Sequence, residues 1–320
     1  MNRLALTALA APLLLAAQPP EAAAPAQLHA ETPPTPAEVI EAATQQDWRP
    51  IAPQNLLVMT LADGGQVFIE LAPDFAPVHV ENIRRLARAH WFDGIAVVRV
   101  QDNYVVQWGD PAEEEADRKP LPEGIVEQPP AEYALVTTAG EEGDIVLWHP
   151  RDYLFDAYAD WTAYEEGWPT SYDIADETRT LVRSLVHCYG MVGVGRGDNP
   201  DTGTGAELYT VIGHAPRHLD RNIALVGRVV EGIEHLSSLP RGTGPLGFYE
   251  DPAQRAGIAA VRLASELPEG ERPAFEAMRT DTLTFRNYVE ARANRGGWFI
   301  RPARAVDVCN VNLPIRRAGG

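Results

Sequence analysis

Apolar runs parted by polar turns are clearest between residues 55 and 110. Leu56–Leu61 is an apolar run, Ala62-Asp63-Gly64-Gly65 has the composition of a tight turn, and Val67-Phe68-Ile69 runs back, which predicts a β-hairpin over 55–71. Val80, Ile83, Leu86 and Ala87 recur at helical spacing and predict a helix over Val78 to His90. Asp93-Gly94 ends it. Two strands follow, one around Arg99 and one over Tyr104–Gln107, parted by Gln101-Asp102-Asn103. Strands resume at Gly190–Val194, Leu208–Ile212 and Ala224–Val230, with Ile258–Leu263 as the last. Glu231–Leu239 reads as helical, and Thr280 is placed to cap a helix over about 281–294 that ends at Gly296-Gly297. Near the start, Thr35-Pro36-Ala37-Glu38 is a capping box that opens a helix over 36–46.

The rest is less patterned. Residues 112–185 predict irregular structure, broken by Pro120, Pro122, Pro129 and Pro130. The aromatic-dense stretch 153–172 (Tyr153, Phe155, Tyr158, Trp161, Tyr164, Trp168, Tyr172) is expected to pack on the main body or to form a binding surface. From Pro302 the tail reads as strand-like or irregular.

Arg3 followed by the apolar run Leu4–Ala17 and small residues fits a cleaved export signal over about 1–24, with a retained anchor as the alternative. Residues 18–36, rich in Pro, Ala and Gln, read as a linker. Export implies a periplasmic or otherwise exported protein, and an oxidising compartment in which Cys188 and Cys309, the two cysteines, can pair. The net charge is −18, with Lys119 the lone lysine. No basic stripe is visible, which argues against nucleic-acid binding and against docking on anionic membranes. No second segment is long and apolar enough to span a membrane.

Candidate chemistry narrows quickly. Gly193-Val194-Gly195-Arg196-Gly197 runs into a loop composition rather than a phosphate-binding helix, so a dinucleotide site is not supported. There is no P-loop, HExxH, CxxC or GxSxG, and the histidines are too scattered for a metal set. Asp173 and Asp176 could be imagined as glycosidase carboxylates, but acidic pairs arise freely among 45 acidic residues. Arg99 stands out, because a guanidinium inside an apolar strand is costly without a partner or a task.

Several fragments around Arg99 together resemble the cyclophilin family of peptidyl-prolyl isomerases. They are Gly65–Leu71 with Ala76-Pro77 and Glu81-Asn82-Ile83, then Phe92-Asp93-Gly94 to Arg99-Val100, and Gln107-Trp108-Gly109-Asp110-Pro111. Ala206-Glu207-Leu208-Tyr209, His218-Leu219-Asp220 and Leu225–Gly232 follow in the family's order. The resemblance covers residues 55–264 with an insertion at about 112–187. It implies a mainly β fold, a closed antiparallel eight-stranded barrel capped by helices, and a C-terminal extension, 265–320, packing on it.

The resemblance also implies a reaction and a site: cis–trans isomerisation of Xaa-Pro bonds, without cofactor or metal. Arg99 and Gln107 would be catalytic, with Tyr104, Val105, Glu207, Tyr209, His218 and Leu219 binding the substrate. Proline-containing unfolded or loop segments of exported proteins would be the partners of a monomeric enzyme. Four positions depart from the family pattern: Val98 and Ile223 replace histidines, Glu207 a glutamine and His218 a tryptophan. Gly195, Arg196 and Gly197 stand where the family has other small wall residues. These changes keep a peptide-binding module with little turnover as the alternative, and Glu207 is expected to lie near Arg99.

Overall fold

The hairpin strands are apolar on both faces because each face meets a different layer. The computed structural model describes residues 33–112, 114–137, 156–175 and 180–319. The expected signal segment, Tyr153, Phe155 and Asp176 lie outside these residues. In chain order the elements begin with α1 (Pro36–Glu41), β1 (Trp48–Pro50), β2 (Leu56–Leu61), β3 (Gln66–Leu71), α2 (Pro77–Arg88), β4 (Ala96–Val100) and β5 (Val105–Gly109). Next come β6 (Leu135–Thr137), β7 (Trp161–Glu165), β8 (Trp168–Ala175), β9 (Thr180–Leu185), β10 (Met191–Val194), β11 (Leu208–Val211) and β12 (Leu225–Glu231). The chain closes with α3 (Glu234–Ser237), β13 (Ile258–Leu263), β14 (Phe275–Met278), α4 (Leu283–Ala293), α5 (Val308–Val311) and β15 (Ile315–Arg317).

Leu57, Met59 and Leu61 of β2 and Val67, Ile69 and Leu71 of β3 point into one core, together with Val80, Ile83 and Leu86 of α2. The alternate residues Leu56, Val58 and Phe68 pack outward against Phe275 and Ala277 of β14. Eight antiparallel strands surround the inner core in the order β13-β2-β3-β12-β10-β11-β5-β4. The barrel is nearly closed rather than closed. Its edge strands β4 and β13 meet through one isolated bridge, Ala96 with Gly257, and three flanking backbone hydrogen bonds of 2.8–2.9 Å.

Two further sheets lie outside the barrel, the first in a stretch expected to be irregular and the second taking β15 from the tail read as strand-like or irregular. Strands β6-β9-β8-β7 form an antiparallel sheet of four within the stretch 112–185. Strands β1-β14-β15 form a sheet of three, so β13 is not the last strand. The other differences concern helix ends. The first helix stops at Glu41, with the Thr35–Glu38 capping box in place. Residues 231–239 hold only the four-residue α3, because β12 continues through Glu231. Thr282 caps α4, while Thr280 is buried and accepts the Gly167 N–H at 3.1 Å.

An ionic cluster joins these layers. Arg228 of β12 donates to Glu70 of β3 at 3.0 Å through Nε and lies 4.4 Å over the Trp168 ring, while Glu70 also takes Arg49 of β1 at 2.8 Å. Buried charges of this kind position elements more than they stabilise them. Cys188, just before β10, is bonded to Cys309 of α5, with 4.9 Å between the Cα atoms. Because the bond closes a separation of 121 residues, its reduction is expected to lower stability by up to about 4–5 kcal/mol on the chain-entropy account. The denaturant midpoint with and without reductant measures this.

Candidate active site

A row of paired residues crosses four barrel strands. Arg99 pairs with Gln107, Gln107 with Tyr209, and Tyr209 with Gly193. Alternation explains why they share a face. Val106, Trp108 and Leu208 point into the barrel core, so Val105, Gln107 and Tyr209 point outward.

Arg99 is held from three sides. Its Nη1 donates to Gln107 Oε1 at 3.0 Å, its Nε to the Leu246 carbonyl at 2.7 Å, and its Nη2 to Gln101 Oε1. Tyr104 and Phe248 present ring faces at 5.6 and 5.4 Å. A guanidinium has five N–H donors, so two remain for another acceptor. Burial lowers the Arg99 pKa, opposed by the Tyr104 and Glu207 charges, and the group stays a cation at any working pH.

Glu207 does not touch Arg99 directly. Gln107 stands between them, with Oε1 accepting from Arg99 and Nε2 donating to Glu207 Oε1. The chain of contacts fixes which way the Gln107 amide points.

Beside this row lies a cavity of about 180 Å³, lined by Arg99, Tyr104, Val105, Gln107, Tyr209 and Leu219 together with Val194, Gly195, Arg196 and Ile223. It has the room of about six waters, enough for a pyrrolidine ring. His218 is exposed and lies outside that lining. It stacks on Tyr104 at 6.0 Å between ring centres, with Tyr104 Oη 3.4 Å from its Nε2. No lining residue comes from 156–175, so the described part of the aromatic stretch does not cover this cavity.

Behind the cavity is a buried polar chain. Tyr209 Oη lies 2.9 Å from His187 Nε2, and His187 Nδ1 lies 2.8 Å from Asp220 Oδ1. A carboxylate only accepts, so Nδ1 carries the proton and Nε2 accepts from the tyrosine. Arg217 then spans Asp220 and Asp156. Burial lowers the His187 pKa, against the pull of Asp220. Burial would raise the Asp220 carboxyl, but His187 and Arg217 hold it below its ordinary value. Burial also keeps Tyr209 neutral by raising its pKa. The chain anchors the turn Arg217–Leu219, which brings Leu219 to the cavity.

Gly193 makes room for the floor of the cavity. A Cβ there would lie 2.4 Å from Tyr209 Cζ and Oη. Gly193→Ala must therefore push the ring aside and break its bond to His187. Destabilisation of about 1–3 kcal/mol is expected from overpacking. Thermal melts and a proline-peptide binding assay would register the loss of both stability and pocket.

Pattern reading missed Val194, Gln101, Phe248, the Leu246 carbonyl and His187. Nothing in the sequence linked the residues around Leu246 to Arg99. The glycosidase reading finds no support. Asp173 is paired with Arg221 and accepts the Asp160 N–H, away from the cavity. Among the described residues no helix is long and apolar enough to cross a membrane.

Comparison with known proteins identifies the family. A probable peptidyl-prolyl cis-trans isomerase of Brucella suis biovar 1 (strain 1330) is 41% identical over 58 residues, which are 18% of this chain and 29% of that protein. Its Brucella abortus (strain 2308) counterpart is 40% identical over the same length and shares. The chain thus spans under a third of the length of these curated relatives. The crystal structure of cyclophilin AquaCyp293 from Hirschia baltica superposes with a TM-score of 0.63 at 25% identity, covering 86% of this chain and 97% of that one. Residues 56–262 match the family described as cyclophilin type peptidyl-prolyl cis-trans isomerase/CLD. With that match running from β2 into β13, the chain belongs to the cyclophilin-type peptidyl-prolyl isomerase family.

Proposed function

We propose that the chain catalyses cis–trans isomerisation of Xaa-Pro bonds in exported proteins, with Arg99 at the centre of a non-covalent mechanism. The observation that carries this reading is the placement of Arg99, with two unused N–H donors, beside an apolar-floored cavity of about 180 Å³. Amide resonance sets the isomerisation barrier at about 18–20 kcal/mol. Twisting the bond removes that resonance and returns a lone pair to the prolyl nitrogen. A fixed cation that hydrogen-bonds the prolyl segment more strongly when the amide is twisted lowers the barrier. In this reading the proline ring sits on Val105, Tyr209 and Leu219, the peptide backbone lies along Gln107, and no nucleophile or cofactor takes part.

A second reading, a peptide-binding module with weak turnover, is favoured by one observation. Both ends of the Gln107 amide are already engaged, by Arg99 and by Glu207. Exchange NMR on an Xaa-Pro peptide separates the two. The enzyme reading expects an interconversion rate that rises in proportion to added protein. An uncatalysed rate with peptide shifts that saturate would leave only the binding module. The export element is tested by cell fractionation, and recovery in the cytosol with Met1 retained would overturn it.

A further inference from the structure

The loop between α4 and α5 carries a feature that the active site does not use. Trp298 is 88% exposed and Ile300 96%, more than any other large hydrophobic side chain among the described residues. Phe299 lies between them, 41% exposed and edge-on to Trp298 at 5.2 Å. Scattered exposed apolar residues need no explanation, but three adjacent ones at a loop tip form a patch.

The loop has a built base. Ala293 and Val306 are buried at its two ends, and the Arg304 N–H donates to the Ala293 carbonyl at 3.0 Å. Phe299 N–H closes a turn onto Gly296 at 3.3 Å, with Gly297 in the left-handed region at φ +64°. The apolar tip is therefore pushed outward on a pinned finger.

Charge is unusual here too. The chain carries −18 overall, yet no acidic residue lies between Glu290 and Asp307, while Arg292, Arg295, Arg301 and Arg304 do. Arg295 lies 5.6 Å over the Phe299 ring. Arg301 and Arg304 are exposed and have no acidic partner among the described residues. A reading of total charge hides this patch, because at physiological salt a charge is felt over only about 8–10 Å.

We propose that this loop docks the protein on a bilayer surface bearing anionic lipid headgroups. Tryptophan and phenylalanine suit the boundary between headgroups and acyl chains, and isoleucine suits the apolar side of it. Arginines flanking the tip reach the phosphates while their stems stay apolar. The docking rests on residues separate from the isomerase site and stands independently of that reading.

The test is amide hydrogen exchange on the full chain, with phosphatidylcholine vesicles and with vesicles containing phosphatidylglycerol. Slowed exchange over 295–303 on the anionic vesicles, lost in high salt, is the expected result. Peptide-level readout separates this loop from any contact made by the apolar run Leu4–Ala17. Arg301→Gln with Arg304→Gln is expected to weaken anionic-vesicle binding at this loop about 25-fold, at about fivefold per charge. Trp298→Ser with Ile300→Ser is expected to abolish the protection. Both pairs change exposed side chains, so an unchanged melting temperature verifies the fold. The proposal is overturned by unaltered exchange over 295–303, or by equal protection on neutral vesicles. It is also overturned by a sedimentation dimer that Trp298→Ser dissolves, which would assign the patch to a second copy.

Discussion

Replacing Arg99 with alanine is expected to lower kcat/KM for an Xaa-Pro peptide by about 10²–10³, the usual cost of losing one preorganised donor that acts on developing charge. The reasoning follows from how the side chain is held. Three acceptors, Gln107, Leu246 and Gln101, and two ring faces fix the guanidinium before substrate arrives. No reorganisation is then needed as the amide twists, and partial burial strengthens the interaction. Most of the loss should appear in kcat, because Val105, Tyr209 and Leu219 still hold the proline ring. Arg99→Lys keeps the charge and loses the planar fork, so it should fall between the two. Arg99 sits on β4, at the barrel seam, and its side chain points away from the inner core, so the melting temperature of Arg99→Ala should change little. A rate equal to that of the unaltered protein would remove Arg99 from the mechanism.

The barrel is legible only through the resemblance to the cyclophilin family, while the chain itself marks single strands and the turns between them. Val106 and Trp108 point inward while Val105 and Gln107 point outward, and because three of these four are apolar the alternation of faces is not marked in the sequence. The sheet β6–β9 hid for a physical reason. Thr162, Thr170, Ser171 and Ser184 are all at most 2% exposed, so buried positions there are not marked by apolar side chains. Pro169 within β8 further argues against a strand. Arg99 stands out in the sequence as a guanidinium within an apolar strand, whereas Gln107 and Tyr209 are named only through the resemblance to the cyclophilin family. The Leu246 contact could not be named, since the donor meets a backbone carbonyl that any residue would supply. His187 and Asp220 lie 33 residues apart and meet only through the turn that packs behind Tyr209.

That same pair sets the second large expectation. Asp220→Ala should destabilise the protein by about 3–5 kcal/mol, the range for removing one partner of a buried charge pair. The Asp220 side chain is 2% exposed, and those of Arg217 and His187 are 6% and 0%. Without the carboxylate, the His187 Nδ1–H, the His187 backbone N–H and Arg217 Nε all lose their acceptor in a site closed to water. The turn that carries Leu219 also loses its anchor, so peptide binding should weaken with stability.

Acid should mimic the substitution. His187 has a lowered pKa when folded, so the unfolded chain takes its proton first as pH falls. Its contribution is complete above the unfolded value of about 6.5 and declines below it. Asp220 is also lowered when folded, so its contribution is present above about 3.9 and fades as pH falls through the folded value. Both terms have the same sign, and stability should drop in two stages, first below about pH 6.5 and again below about pH 4. In His187→Gln the first stage should shrink while the second remains. Denaturant titrations from pH 8 to pH 3 read this directly, and a stability that rose on acidification would contradict the buried neutral histidine.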